Sequence, residues 1–146
     1  MDDSATDLPS LELLKAQFVA RDGYMQSLGA ELAKMGRGHA IVRMPVRQDS
    51  LNFNGTCHGG AIFSLADCAF GVASNSYGTL AAGIDVHITY NAAARLGDVL
   101  TATATEVSRS RKIAVYEVTV SGDTAGHIAS FTGTVYIIGH KNFTCL

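Results

Sequence analysis

The sequence predicts an α+β domain in which one long central helix is wrapped by a curved antiparallel sheet of about five to six strands. Three observations carry that reading. Residues 61–76 are apolar or small almost all round, the mark of a helix covered on most sides. Four segments after it alternate with period two, as half-buried strands do. The breaks between those four are too short for crossover helices, which disfavours a doubly wound parallel sheet.

Taken from the N-terminus, residues 1–9 read as a disordered, solvated tail. Pro9 and Ser10 precede Leu11–Val19, where helix formers and apolar spacing predict a short amphipathic helix. Extended patterning covers 28–46 in two pieces divided by Gly36-Arg37-Gly38, and His39–Val46 alternates partly, as a strand. A polar, glycine-containing loop follows over 47–60. The long helix comes next and stops near Gly78. Strands are predicted at 80–91, 98–109, 112–122 and 126–138, with breaks at Arg95–Asp98, Ser108–Arg111 and Gly122–Gly126. A single domain over 10–140 results, with 141–146 a C-terminal tail.

Composition narrows the function. The 146 residues suit one domain with a sizeable core. With 47% hydrophobic and only 16% charged residues, little charge is left to cover the surface, which points to subunit contacts. A formal net charge of −2 argues against nucleic-acid binding, which needs a strong basic patch. Cys57, Cys68 and Cys145 are an odd set without regular spacing, so neither a disulfide framework nor a metal site is expected. The acidic start lacks the basic region and apolar run of a signal peptide, and Ser, Asn and Asp interrupt the 61–84 region before it reaches a membrane span. A cytoplasmic protein is expected, in which the Asn142-Phe143-Thr144 triplet has no glycosylation role.

The strongest chemical signal is Asp67. Between Asp49 and Asp85 it is the only Asp, Glu, Lys or Arg, and it lies mid-helix among Leu65, Ala66, Ala69 and Phe70. Asp is a mediocre helix former, and an unpaired buried carboxylate is costly. A polar contact across a helix pair, a slight exposure at the helix edge, or a functional role accounts for it. The second signal is Asn52-Phe53-Asn54-Gly55-Thr56-Cys57-His58-Gly59-Gly60, just before the helix. Paired glycines allow close approach of a ligand, and first-turn N–H groups at the positive end of a helix can polarise a carbonyl. A turn that needs left-handed conformations explains the same glycines.

Spacing joins the two signals. Gly59 and Asp67 are separated by roughly 12 Å along a helix, too far to act on one carbonyl within one chain. If both act on the same carbonyl, they come from two copies, with the helices antiparallel across a two-fold axis.

The run Asn54-Gly55-x-x-His58-Gly59-Gly60-x-x-Phe63-Ser64-Leu65-Ala66-Asp67-x-Ala69-Phe70, followed by Asn75-Ser76-x-Gly78, closely resembles the phenylacetate-degradation branch of the hot-dog-fold acyl-CoA thioesterases. The element order agrees over nearly the whole chain. The resemblance implies hydrolysis of aryl- or phenylacetyl-type acyl-CoA. In it the Asp67 carboxylate attacks the carbonyl or activates water, the Gly59 N–H polarises the thioester oxygen, and His58 stands nearby. It also implies substrate positioning by an amide at Asn52, with Asn54 and Gly60 in the same loop. It implies no cofactor beyond the coenzyme A of the substrate, and an obligate dimer that pairs again into a tetramer. One departure stands out: where these relatives carry an Asn in the N-terminal helix region, this chain has Arg21.

Other candidates are weaker. His58 suits positioning better than base catalysis, since no Ser or Cys nucleophile is evident. Cys57 and Cys68 read as small packing residues, because chain neighbours generally point apart. Arg109, Arg111 and Lys112 form the one dense basic cluster, read either as a solvated hairpin tip or as a clamp for CoA phosphates. Two alternatives remain beside hydrolysis: a hot-dog hydratase or dehydratase, and a non-catalytic acyl-CoA-binding module.

Overall fold

A computed structural model describes residues 8–143 of the chain. Its elements are α1 (Leu11–Arg21), α2 (Gly23–Ser27), β1 (Glu31–Gly36), β2 (His39–Pro45), α3 (Gly59–Ser74), β3 (Thr79–Tyr90), β4 (Val99–Arg109), β5 (Ile113–Gly122) and β6 (Gly126–Lys141). A single 3-10 turn at Gln48–Ser50 precedes α3. The six strands form one antiparallel sheet in the order β1-β2-β4-β5-β6-β3, with α3 packed chiefly on β2, β4 and β5. This is the α+β, helix-in-sheet arrangement the sequence predicts.

Local chemistry sets the boundaries. Ser10 caps α1 by accepting the Leu13 N–H, and Asp22 ends α1 and caps α2 by accepting the Met25 N–H at 2.9 Å. The helix α3 begins at Gly59, two residues before the sequence-based start, because His58 takes an extended conformation and caps it. At the other end the buried Asn75 accepts the Ala81 N–H at 2.9 Å and donates to the Gly71 and Ala81 carbonyls. That amide ties the end of α3 to the start of β3. Gly78, at φ +80, turns the chain between them.

Alternation along the strands delivers Ala40, Val42 and Met44 from β2, Leu100, Ala102 and Ala104 from β4, and Tyr116, Val118 and Val120 from β5 to one core under α3. Phe70 of α3 meets Phe131 at 5.4 Å and Tyr116 at 5.9 Å between ring centres. Its ring fills the space over Gly133 of β6, where a Cβ would lie 2.6 Å from it.

One feature differs from the sequence reading. Strand β6 runs to Lys141, past the expected domain end, and Phe143 then packs edge-on against Phe18 of α1 at 5.1 Å. Residues 141–143 are therefore docked rather than a free tail. The remainder of both expected tails, 1–7 and 144–146, lies outside the described residues, although Pro9 packs on Gly78 and its carbonyl accepts from Arg37. Among the described residues β3 is an edge strand bonded only to β6, and it is mostly exposed from Ala82 to Tyr90.

Candidate active site

The start of α3 is fixed by backbone bonds from the preceding loop. The Cys57 N–H donates to the Ala94 carbonyl at 2.8 Å and the His58 N–H to the Ser50 carbonyl at 2.7 Å. His58 Nδ1 accepts the Gly60 N–H at 2.8 Å, so a neutral ring carries its proton on Nε2. The Ala61 and Ile62 N–H groups both reach the His58 carbonyl. Among the described residues, the Gly59 N–H is thus the one donor of the first turn without an acceptor. Gly59 lines a cleft of about 350 Å³ with Cys57, Ile62 and Tyr90, and the Tyr90 hydroxyl donates to the Gly59 carbonyl at 3.0 Å.

The loop before the helix is organised by Asn52. Its Oδ1 accepts the Asn54 N–H at 2.9 Å and the Thr56 N–H at 3.2 Å, while its Nδ2 donates to Thr56 Oγ1 at 3.0 Å. In the single chain this amide shapes the loop that carries Asn54, and Phe53 stands fully exposed at the tip.

For Asp67 the structure selects exposure at the helix edge over burial. Ten residues of α3 are buried against the sheet, but Asp67 projects from the opposite face and is exposed. It opens into a cleft of about 520 Å³, whose walls include Phe18, Arg21 and Asp22 of the first helical segment, Tyr24 of α2, and Phe143. Among the described residues, α1, α2 and Phe143 wall this face of α3 but do not close over Asp67, so it is not buried. Even so, the cleft walls strip enough water to hold the Asp67 carboxyl above the usual range, and the negative charge of Asp22 adds to the effect. Burial pushes the neighbouring Cys68 thiol up to about 12, with Asp22 and Asp67 contributing, and burial with Asp98 raises Cys57. Neither thiol is the thiolate a nucleophile must be.

Gly59 and Asp67 open into different clefts, so one chain does not bring them together. Arg109, Arg111 and Lys112 line neither. Arg109 lies 3.9 Å over the Tyr77 ring and 3.9 Å from Glu106, whose carboxylate also accepts the hydroxyls of Tyr77 and Tyr116. This places Arg109 beside Tyr77, beyond the C-terminal end of α3, in a half-buried cluster with Glu106. Lys112 sits over the Tyr136 ring at 5.5 Å, and Arg111 has no partner among the described residues. Sequence reasoning missed Asp22, Tyr24 and Tyr90. The first carries a visible cap signal, but its approach to Asp67, like that of Tyr90 to Gly59, is a long-range contact with no local signature.

A six-stranded antiparallel sheet around one helix, with a free glycine N–H at the helix start and a carboxylate on its open face, is a hot-dog architecture. Residues 54–129 match the Thioesterase superfamily, and the chain belongs to that family of enzymes. The acyl-coenzyme A thioesterase PaaI of Escherichia coli is 36% identical over 118 residues, covering 81% of this chain and 84% of its own. The E. coli PaaI structure, from the phenylacetic acid degradation operon, matches with a TM-score of 0.84 and 33% identity, over 90% of this chain and 99% of that one. A putative esterase of Archaeoglobus fulgidus is 44% identical over 126 residues, 86% of this chain and 82% of its own. A hypothetical thioesterase of Streptococcus pneumoniae, solved with coenzyme A, matches at a TM-score of 0.73 and 31% identity, over 77% and 90% of the two chains.

Proposed function

We propose that the chain hydrolyses aryl- or phenylacetyl-type acyl-CoA to the free acid and CoA, with Asp67 of one subunit and the Gly59 N–H of another on opposite sides of one thioester carbonyl. The observation that carries this is the pairing on one helix of a free N–H at its positive end with a carboxylate held above its ordinary pKa. A carboxylate so poised attacks the carbonyl carbon or takes a proton from the water that does. Negative charge then gathers on the oxygen facing Gly59, and as the CoA thiolate leaves the carbonyl re-forms, as the free acid where water attacked or as an acyl-Asp67 anhydride that water then hydrolyses where the carboxylate did. A thiolate needs no strong acid to depart, which suits a site without a dedicated proton donor.

The aryl preference draws support from the Phe18, Tyr24 and Phe143 rings in the walls of the Asp67 cleft. Arg111 and Lys112, exposed at the β4–β5 turn, are the residues proposed to meet CoA phosphates, with Arg109 behind them in its Tyr77 and Glu106 cluster. Asn52 and His58 then act by shaping the loop and capping the helix, Asn54 and Gly60 by lining the approach. Coenzyme A enters as part of the substrate and no other cofactor is required. The open edge of β3 supports pairing with a second copy, and a dimer of such dimers in the cytoplasm completes the reading. The S. pneumoniae relative solved with coenzyme A supports the ligand class.

The test is thiol release from phenylacetyl-, hydroxyphenylacetyl-, benzoyl- and straight-chain acyl-CoAs. Aryl substrates are expected to lead, and Asp67→Asn or Asp67→Ala to lower kcat by about 10²- to 10⁴-fold. Wild-type turnover by a folded Asp67→Ala protein overturns the proposal. So does tight binding of phenylacetyl-CoA without hydrolysis.

A further inference from the structure

We propose that Tyr90 is a positioning residue that holds Gly59 in the orientation its N–H needs to meet the thioester oxygen. The inference rests on the role given to Gly59 above and concerns what makes that donor rigid.

Glycine is the residue least constrained by its own backbone, and a helix end is where a helix is loosest. An oxyanion donor, by contrast, helps only if it is already aimed when charge develops. Something must supply the missing constraint. On one side His58 Nδ1 holds the Gly60 N–H at 2.8 Å. On the other, Tyr90, the last residue of β3, donates its hydroxyl to the Gly59 carbonyl at 3.0 Å. Its ring also covers the Gly59 Cα, for a Cβ built there would lie 3.3 Å from Tyr90 Cζ and 3.4 Å from the hydroxyl oxygen. The next peptides hold Tyr90 in turn, since Asn91 donates to the Ile128 carbonyl at 2.7 Å and Cys57 to the Ala94 carbonyl at 2.8 Å. The Gly59–Gly60 peptide is thus held at both its N–H and its carbonyl, the His58–Gly59 peptide is held at its carbonyl by Ala61 and Ile62, and the Gly59 N–H alone is left free among the described residues.

The same contact explains why residue 59 lacks a side chain. The backbone there is ordinary helix with no left-handed φ, so alanine is acceptable to the chain itself. The Tyr90 ring is what an added methyl meets.

Two measurements on the full chain test this, compared on protein that elutes as the wild-type oligomer. Tyr90→Phe keeps the ring and removes the hydroxyl. It is expected to lower kcat roughly 3- to 10-fold, the size of one net hydrogen bond, with KM unchanged. A raised KM with unchanged kcat makes Tyr90 only a wall of the cleft and overturns the proposal, as do wild-type constants. Gly59→Ala is expected to cost up to about 10²-fold in kcat. Because the cost comes from the tyrosine ring, Gly59→Ala combined with Tyr90→Ala should lose less than the product of the two single losses. Multiplicative losses overturn the coupling. Failure of the thioesterase reading itself is separate: there Asp67→Asn remains active, whatever Tyr90 does.

Discussion

At the scale of single residues, Asp67 owes its character to its surroundings. A lone charge within 61–76 is legible in the sequence, and so is the glycine pair before it. What surrounds Asp67 is not legible, because Asp22 and Arg21 reach its cleft from α1 and the segment after it, and Tyr24 from α2, while Cys68 flanks it on α3. Those contacts bridge some forty residues of chain, and no local pattern encodes them. The pH consequences follow from the direction of the shift. In the proposed reaction Asp67 acts ionised, so its raised pKa should remove activity at a higher pH than an ordinary carboxylate would. Replacing Asp22 by Asn keeps the cap on α2, since either side chain accepts the Met25 N–H, but removes a negative charge facing Asp67. The acid limb of kcat/KM in Asp22→Asn should therefore move to lower pH; an unmoved limb means Asp22 does not act on Asp67. Stability runs the other way. A carboxyl whose pKa is raised on folding favours the folded state below its unfolded pKa and loses that contribution as pH climbs through its folded value. At neutral pH, then, the uncharged Asp67→Asn protein should melt no lower than wild type.

At the scale of elements, the sheet and α3 were readable because period-two alternation and an all-apolar helix are strong signals. The five residues of α2 and the turn at Gln48–Ser50 were not. Each depends on one or two side-chain bonds, such as Asp22 to Met25, rather than on periodicity. Equally hidden was the full length of β6, whose last residues are held by Thr79 of β3 and by the packing of Phe143 on Phe18. The seat of α3 on the sheet turns on Phe70 and the bare Cα of Gly133. Gly133→Ala would drive a methyl into that ring with no rotamer to escape to, as Phe70 is also enclosed by Phe131 and Tyr116. Overpacking of this kind costs about 1–3 kcal/mol, seen as a lowered midpoint in denaturant with an unchanged slope. A wild-type midpoint would show that α3 can slide on the sheet.

At the scale of the whole molecule, Asp67 and Gly59 line two different clefts of one chain, which the proposed reaction makes two halves of a site. The sequence conveys this much through spacing alone, since a helix cannot fold back to bring Gly59 to Asp67. Mixing separately inactive chains gives the test. Asp67→Ala and Gly59→Val subunits, unfolded together and refolded, form heterodimers in which one composite site retains both native groups. About a quarter of wild-type activity should return, because half the dimers are mixed and half their sites intact. No recovery would place both groups within one chain. The open edge of β3 also decides how this protein fails. A strand of twelve residues with an unpaired ladder and Ile84 60% exposed is a template for any other extended chain once a subunit stands alone. Heating then competes dissociation against aggregation, so loss of activity becomes a matter of rate rather than equilibrium. The apparent melting temperature will depend on scan speed, and survival will depend on keeping that edge occupied.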